Sequence, residues 1–454
     1  MKKRDSVKIN YIRNKRNKKT NKRNVKSRRF KGKHSSYTKE LQFRITKDQR
    51  IISSTKSVFW DFICAQEFID GQEDKSLEIH IPQVFSLKRT YSLTVKTIKD
   101  IIASMMHYKG KEIIINFNKC IKVDHGALFF LQILRLEVQL DLRKLNSKLR
   151  VLSTDTTTKI IKSINDDVNL NLFLLGFISE IKLENNIEPI HSLGFLKGTK
   201  SRTDIIENRK GIITSNIVNY LDNCLNLNNL KIKPQGKNKL SNMIGEILNN
   251  AEDHGIFNNY FVTANYHIIK NPDIKNNVGI LFLSFLNFGP SIYDGIENNK
   301  EENREMYNRL EDEFLRLNDK HFTKENIFTL YALQDGVSRL KYQNSSRGSG
   351  TMTFINSFYD IGDYENGTNS ITPHLSIFSG KTHVFCTKDY RPYTTTNGNS
   401  IISLNDSNDL RKPPNKNNLK LLTEKFPGTI LTFKFCLNRH HIEQKLANNG
   451  SNTK

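Results

Sequence analysis

Glu246, Asn250 and His254 recur at four-residue intervals in Glu246-Ile-Leu-Asn-Asn-Ala-Glu-Asp-His254. A carboxylate, a carboxamide and an imidazole so spaced fall on one face of a helix. Met243, Ile244, Ile247 and Leu248 supply the apolar stripe that would bury another face. The polar line has the chemistry to hold a metal-bound phosphate. Asn offers a neutral oxygen ligand that suits octahedral Mg²⁺, and a Glu one turn earlier can orient or deprotonate a water. A solvated helix face in an Asn-rich chain would carry the same residues, so the surrounding elements have to decide between the two.

Three such elements follow. The apolar run Val278–Leu286 predicts a buried strand that ends in Asn287-Phe-Gly289-Pro-Ser291. Arg347-Gly348-Ser-Gly350-Thr precedes Met352–Phe358, a helix start. Its glycines let backbone N–H groups approach phosphate oxygens, and Arg347 adds a charge-assisted donor. Phe426-Pro-Gly428-Thr429 opens an alternating strand that runs to Phe435.

Glu-x-x-x-Asn-Ala-x-x-His, Asn287-x-Gly289, Arg347-Gly348-x-Gly350 and Gly428-Thr429, in that order, resemble the motifs of the GHKL ATPases. That superfamily holds DNA gyrase, heat-shock-type chaperones, histidine kinases and the mismatch-repair ATPase. The resemblance implies an α/β sandwich over residues 205–440, a mixed sheet with helices on one face, binding ATP and Mg²⁺. It assigns Glu246 as general base, Asn250 as Mg²⁺ ligand and His254 as a group at the phosphate edge. Asn287, Gly289 and Thr429 would form the adenine end, and Arg347, Gly348 and Gly350 would face the phosphates. Two positions depart from the family pattern. Asn287 stands where the family has the Asp that accepts from the adenine amino group, and Ser291 stands where it has a second Gly. Asn keeps a carbonyl acceptor without the charge. The activity implied is an ATP-driven conformational switch that hydrolyses ATP to ADP and phosphate. A protein kinase of the anti-sigma or histidine-kinase type and a non-hydrolytic, nucleotide-gated binding protein are the alternatives. A homodimer is compatible with each.

Between residues 78 and 200 the pattern changes. Ile79–Pro82 and Glu112–Phe117 read as strands, Thr94–His107 has helical spacing, and Val123-Asp-His-Gly-Ala turns into an amphipathic run from Leu128 to Leu142. A further strand is expected at Lys148–Leu152. This α/β order resembles the STAS domain of anti-sigma-factor antagonists, which implies a protein partner for this region. The family's phosphorylated Ser follows an Asp, and here His125 follows Asp124. A neutral imidazole is itself a nucleophile, so His125 is a candidate phospho-acceptor. A turn histidine that hydrogen-bonds locally is the commoner case.

Charge is concentrated at the start. Lys2 to Lys33 carry sixteen Lys or Arg and one Asp, a net +15 that leaves +9 for the rest of the 454 residues. With few apolar groups, residues 1–36 are expected to form a disordered basic arm able to bind nucleic acid non-specifically through counterion release. Residues 37–77, with Trp60, read as a helical connector, and 441–454 as a polar tail. The five cysteines never form Cys-x-x-Cys, which indicates neither a disulfide framework nor a zinc site. No apolar run reaches membrane-spanning length, so a cytoplasmic protein without membrane contact is expected.

Overall fold

The computed structural model describes residues 76–107, 112–149, 157–182, 187–199, 207–227, 231–254, 260–269, 278–335, 350–362 and 372–438. The arm, the connector up to residue 75, Arg347, Gly348 and the tail lie outside the described residues. The described chain is mixed α/β, with two parallel sheets, of three and two strands, and two antiparallel sheets, of five and two.

The N-terminal layer runs β1 (Ser76–His80), β2 (Val84–Phe85), α1 (Tyr91–His107), β3 (Glu112–Asn116), β4 (Lys122–Val123), α2 (His125–Leu149), β5 (Thr157–Ile161) and α3 (Asp166–Leu174). Its parallel sheet has the order β1-β3-β5. Parallel neighbours need crossovers, and α1 and α2 supply them. Ile113 and Ile115 of β3 are fully buried beneath Ile98, Ile102 and Met105 of α1. Of the strand expected at Lys148–Leu152, Lys148 and Leu149 are helical and the other three residues lie outside the described ones. Val138, Leu142, Leu145 and Leu149 continue the helical period, so α2 runs on to Leu149, and the next described strand is β5.

The C-terminal layer runs β6 (Ile187–Gly198), α4 (Arg209–Asn226), α5 (Pro234–His254), β7 (Tyr260–Ile269), β8 (Val278–Phe288), α6 (Ile292–Glu297), α7 (Arg304–Leu317), α8 (Lys324–Ala332), α9 (Gly350–Gly362), β9 (His374–Cys386), β10 (Tyr393–Thr394), β11 (Ser400–Ile401) and β12 (Leu419–Asn438). Its five-stranded sheet has the order β6-β7-β8-β12-β9, and every pairing in it is antiparallel rather than mixed. Residues 187–198, assigned from sequence to the first region, form its edge strand β6.

Alternation along the strands makes two apolar faces. Tyr260, Val262, Leu283, Phe285 and Phe433 point to a core shared with α4, α5 and α9. Phe261, Leu286, Phe288, Phe378, Phe426 and Ile430 point the other way. A face that apolar must be covered, so the expected helices on one face become helices on both, and α1 and α2 close the second. This explains why α2 is buried nearly all round at its start, with Leu128, Phe129, Phe130 and Leu131 fully enclosed. Phe130 lies 4.8 Å from Phe426, and Tyr91 stacks on Phe378. Lys99 pairs with Glu424, and Lys197 with Glu137 at 2.7 Å, at the margins of the same contact.

Candidate functional site

Helix α5 lies on the sheet through Met243, Ile244, Ile247 and Leu248, all buried. That anchoring fixes the polar line on a neighbouring face of the helix. Glu246 and Asn250 are half-buried, and neither makes a hydrogen bond or ion pair with another described residue. Their neighbours differ. Lys210 of α4 donates to Asn249 Oδ1 at 2.6 Å and pairs with Glu252 at 3.0 Å, so those two side chains tie helix to helix. His254 is the last residue of α5, and its side chain lies outside the described ones.

The other end of the site is built by β8 and β12. Asn287 and Thr429 are partners in the register, and both belong to the odd-numbered positions that face the helices. Tyr260 of β7 stands on the far side of Asn287. Asn287 is 4 % exposed, and its amide makes no hydrogen bond with the described residues. Thr429 Oγ1 lies 2.8 Å from Ser379 Oγ, which also accepts from the backbone N–H of Ile292 at 2.9 Å. Pro427 and Gly428 interrupt the pairing of β12 with β9 as an irregularity, the position where a strand tolerates Pro. Gly428 has φ +145, and any Cβ there would collide with the carbonyl oxygen of Asn287. The glycine therefore brings the two strands together at this point. Gly289 follows, its N–H 3.4 Å from Pro427 O.

Ser291 is the N-cap of α6. Its hydroxyl accepts from Asp294 N at 3.0 Å, and Asp294 Oδ2 accepts from Ser291 N at 2.8 Å. Lys425 pairs with Asp294 at 2.6 Å and holds this helix start against β12. Two residues of this corner were not found by sequence reasoning, Ser379 and Gly380. The available signal was a glycine inside the apolar run of β9, which marks a bend or close approach. Gly350 opens α9, which packs against α5. The structure thus brings Asn287, Gly289 and Thr429 together, and sets Glu246 and Asn250 on a helix that shares their face of the sheet.

The Asp124–His125 turn is assigned differently from either sequence reading. His125 is 3 % exposed at the start of α2 and lies against the opposite face of the five-stranded sheet. Its Nε2 lies 2.9 Å from the Asn265 amide and its Nδ1 3.1 Å from Ser284 Oγ. Oriented so that its nitrogen donates to Leu174 O and Ser192 Oγ, Asn265 presents its oxygen to His125 Nε2–H. Nδ1 is then the acceptor for Ser284. The ring stacks on Phe282 at 4.7 Å, and burial, reinforced by His267 nearby, pushes its pKa down to about 3. These partners lie far away in sequence, so the hydrogen bonding is not local, and an enclosed imidazole cannot reach a phosphoryl donor. Asp124 caps the helix instead, accepting from Ala127 N at 2.6 Å.

Among the described residues no group of three or more His, Cys, Asp or Glu could hold a metal ion. No described helix is long and apolar enough to cross a membrane. Comparison with protein-family models, with curated proteins and with solved structures finds no match to this chain.

Proposed function

We propose that residues 205–440 bind Mg·ATP in the manner of a GHKL module and that the chain is a nucleotide-driven conformational switch. The observation that carries this reading is the pairing of Asn287 with Thr429 on the sheet face that α5 covers with Glu246 and Asn250. Two carboxamides and a carboxylate there are half-buried or buried, yet none bonds to another described residue. Polar groups on one face that make no bond to a described residue are available to a polar ligand.

The donor set suits the group. Asn250 supplies the neutral oxygen that Mg²⁺ accepts alongside phosphate and water, and Asn287 offers an acceptor and a donor to the edge of a purine. When bound, Mg²⁺ would neutralise phosphate charge. Glu246, one turn from Asn250, would orient a water and take its proton. The Phe285 and Phe433 side of the sheet excludes solvent behind it.

A non-hydrolytic, nucleotide-gated protein is the second reading, and Ser291 favours it. Its hydroxyl is committed to a helix cap where the family pattern has a bare glycine. Incubating the purified protein with γ-labelled ATP tests the assignment. Free labelled phosphate supports the switch, bound but unreacted ATP supports the gate, and labelled protein supports the kinase alternative. No retained nucleotide at saturating Mg·ATP overturns all three.

A further inference from the structure

A second concentration of unpaired charge lies where the loop before α1 meets the bend of β9 and β12. The ring of Phe385 is its floor. Lys88 Nζ stands 3.3 Å from the ring centroid, and the imidazoles of His374 and His383 are 5.4 and 5.9 Å from it. His374 is the register partner of Lys434, and His383 that of Lys420. Directly opposed residues on paired strands project to the same side, so each lysine leaves β12 beside a histidine.

Lys88, Lys420 and Lys434 are half-buried, and among the described residues no carboxylate forms an ion pair with any of them. Lys99, Lys197, Lys210, Lys237, Lys324 and Lys425 each have one. Two acids are near, Asp124 beside Lys88 and Asp167 beside Lys434. Asp124 is committed to backbone N–H groups, with Ala127 N at 2.6 Å and Lys88 N at 3.4 Å. Burial pushes Lys88 down to about 8 and His374 down to about 3, and the neighbouring cations push in the same direction. Like charges gathered in a partly desolvated place repel unless an anion joins them.

We propose that Lys88, Lys420 and Lys434, backed by His374 and His383, form a binding site for a tetrahedral oxyanion of the phosphate class. Lys420 is within electrostatic reach of Lys88, and Lys88 and Lys434 are both within reach of His374; each ammonium is a point charge that binds phosphate without requiring a planar fork. The site is separate from the candidate nucleotide site, because His374 and Lys434 lie at even-numbered positions on the face that α1 and α2 cover. It does not depend on the nucleotide reading.

The test is the melting temperature of the full chain in rising inorganic phosphate, without nucleotide or Mg²⁺, with sodium chloride holding ionic strength constant. A saturable rise is expected. Lys88→Gln and Lys434→Gln should each weaken the phosphate response at least tenfold, while Asn250→Ala keeps it, which separates this site from the one on α5. Because each substitution removes a repelling charge, both should melt no lower than wild type in phosphate-free buffer. Lys122→Gln, at an exposed neighbouring position, serves if a half-buried substitution fails to fold, and it should weaken the response in the same direction. Glycerol phosphate in place of phosphate identifies the source: an equal response assigns a phosphate ester, and a response to inorganic phosphate alone assigns the free anion. A non-saturating rise shared by wild type and all three lysine variants overturns the proposal, as do lysine variants that melt lower yet keep the phosphate response.

Discussion

Asn287 and Thr429 face each other across β8 and β12, and Gly428 lets the two backbones close on that point. The site is therefore as sensitive to a methyl group in the backbone path as to its own side chains. Gly428→Ala should force the strands apart and meet an unfavourable φ at the same time. A loss of about 2–4 kcal/mol in unfolding free energy is expected, together with loss of nucleotide retention. Urea denaturation measures it, and a midpoint equal to wild type would refute the close-approach argument.

The contrasting glycine is Gly245, on α5 beside Glu246. A Cβ there meets nothing within 4 Å. Gly245→Ala should raise stability by roughly 0.5–1 kcal/mol, the helix-interior difference between the two residues. Thermal melting reads this directly, and a destabilised variant would mean that the helix face is not open.

Asn250→Ala should leave the melting temperature of the free protein nearly unchanged, since its side chain bonds to no described residue. The stabilisation by Mg·ATP should shrink or vanish. Equal ligand-induced shifts in wild type and variant would remove Asn250 from the site.

Glu246→Ala should keep ATP bound and slow its hydrolysis by about 10²–10⁴-fold, because a general base acts in the transition state. Binding and single-turnover measurements on the same preparation separate the two effects. Loss of binding with an unchanged turnover constant would contradict the role.

His125 gives a pH prediction. Its pKa falls from the ordinary 6.5 to about 3 on burial, so between those values the unfolded chain binds the extra proton. Stability is fully present above pH 6.5 and is lost as pH falls toward 3. His267, pushed down to about 4, and His374, to about 3, act in the same direction. His125→Gln should destabilise the protein at pH 7 by about 1–3 kcal/mol, through loss of the bonds to Asn265 and Ser284. It should also flatten the decline between pH 6 and 4. A variant whose pH dependence matches wild type would show that His125 titrates normally.

The parts legible in the sequence were those with a strict local period. The polar line of α5, the apolar run of β8 and the alternation of β12 each follow from residue spacing, and all three elements occur. What escaped was set by distant contacts. Nothing near His125 in sequence announces Asn265 or Ser284, and a buried neutral imidazole looks the same in sequence as an exposed reactive one. The second apolar face of the five-stranded sheet was also visible only as ordinary strand alternation. Phe261, Phe288 and Phe426 show its meaning once α2 is known to lie on them. Ser379 reached the candidate site only because β9 is placed next to β12 by the fold.

The covering of both sheet faces limits how the chain can be cut. Phe261, Phe288, Phe378 and Phe426 are shielded by residues more than a hundred positions away in sequence. A fragment beginning at residue 205 would lack α1, α2 and the edge strand β6, and would present an aromatic surface beside an unpaired strand edge to water. Such a fragment should be recovered as aggregate. Biochemistry on the proposed nucleotide chemistry therefore calls for the two layers on one polypeptide, or for their co-expression as complementing halves broken near residue 183.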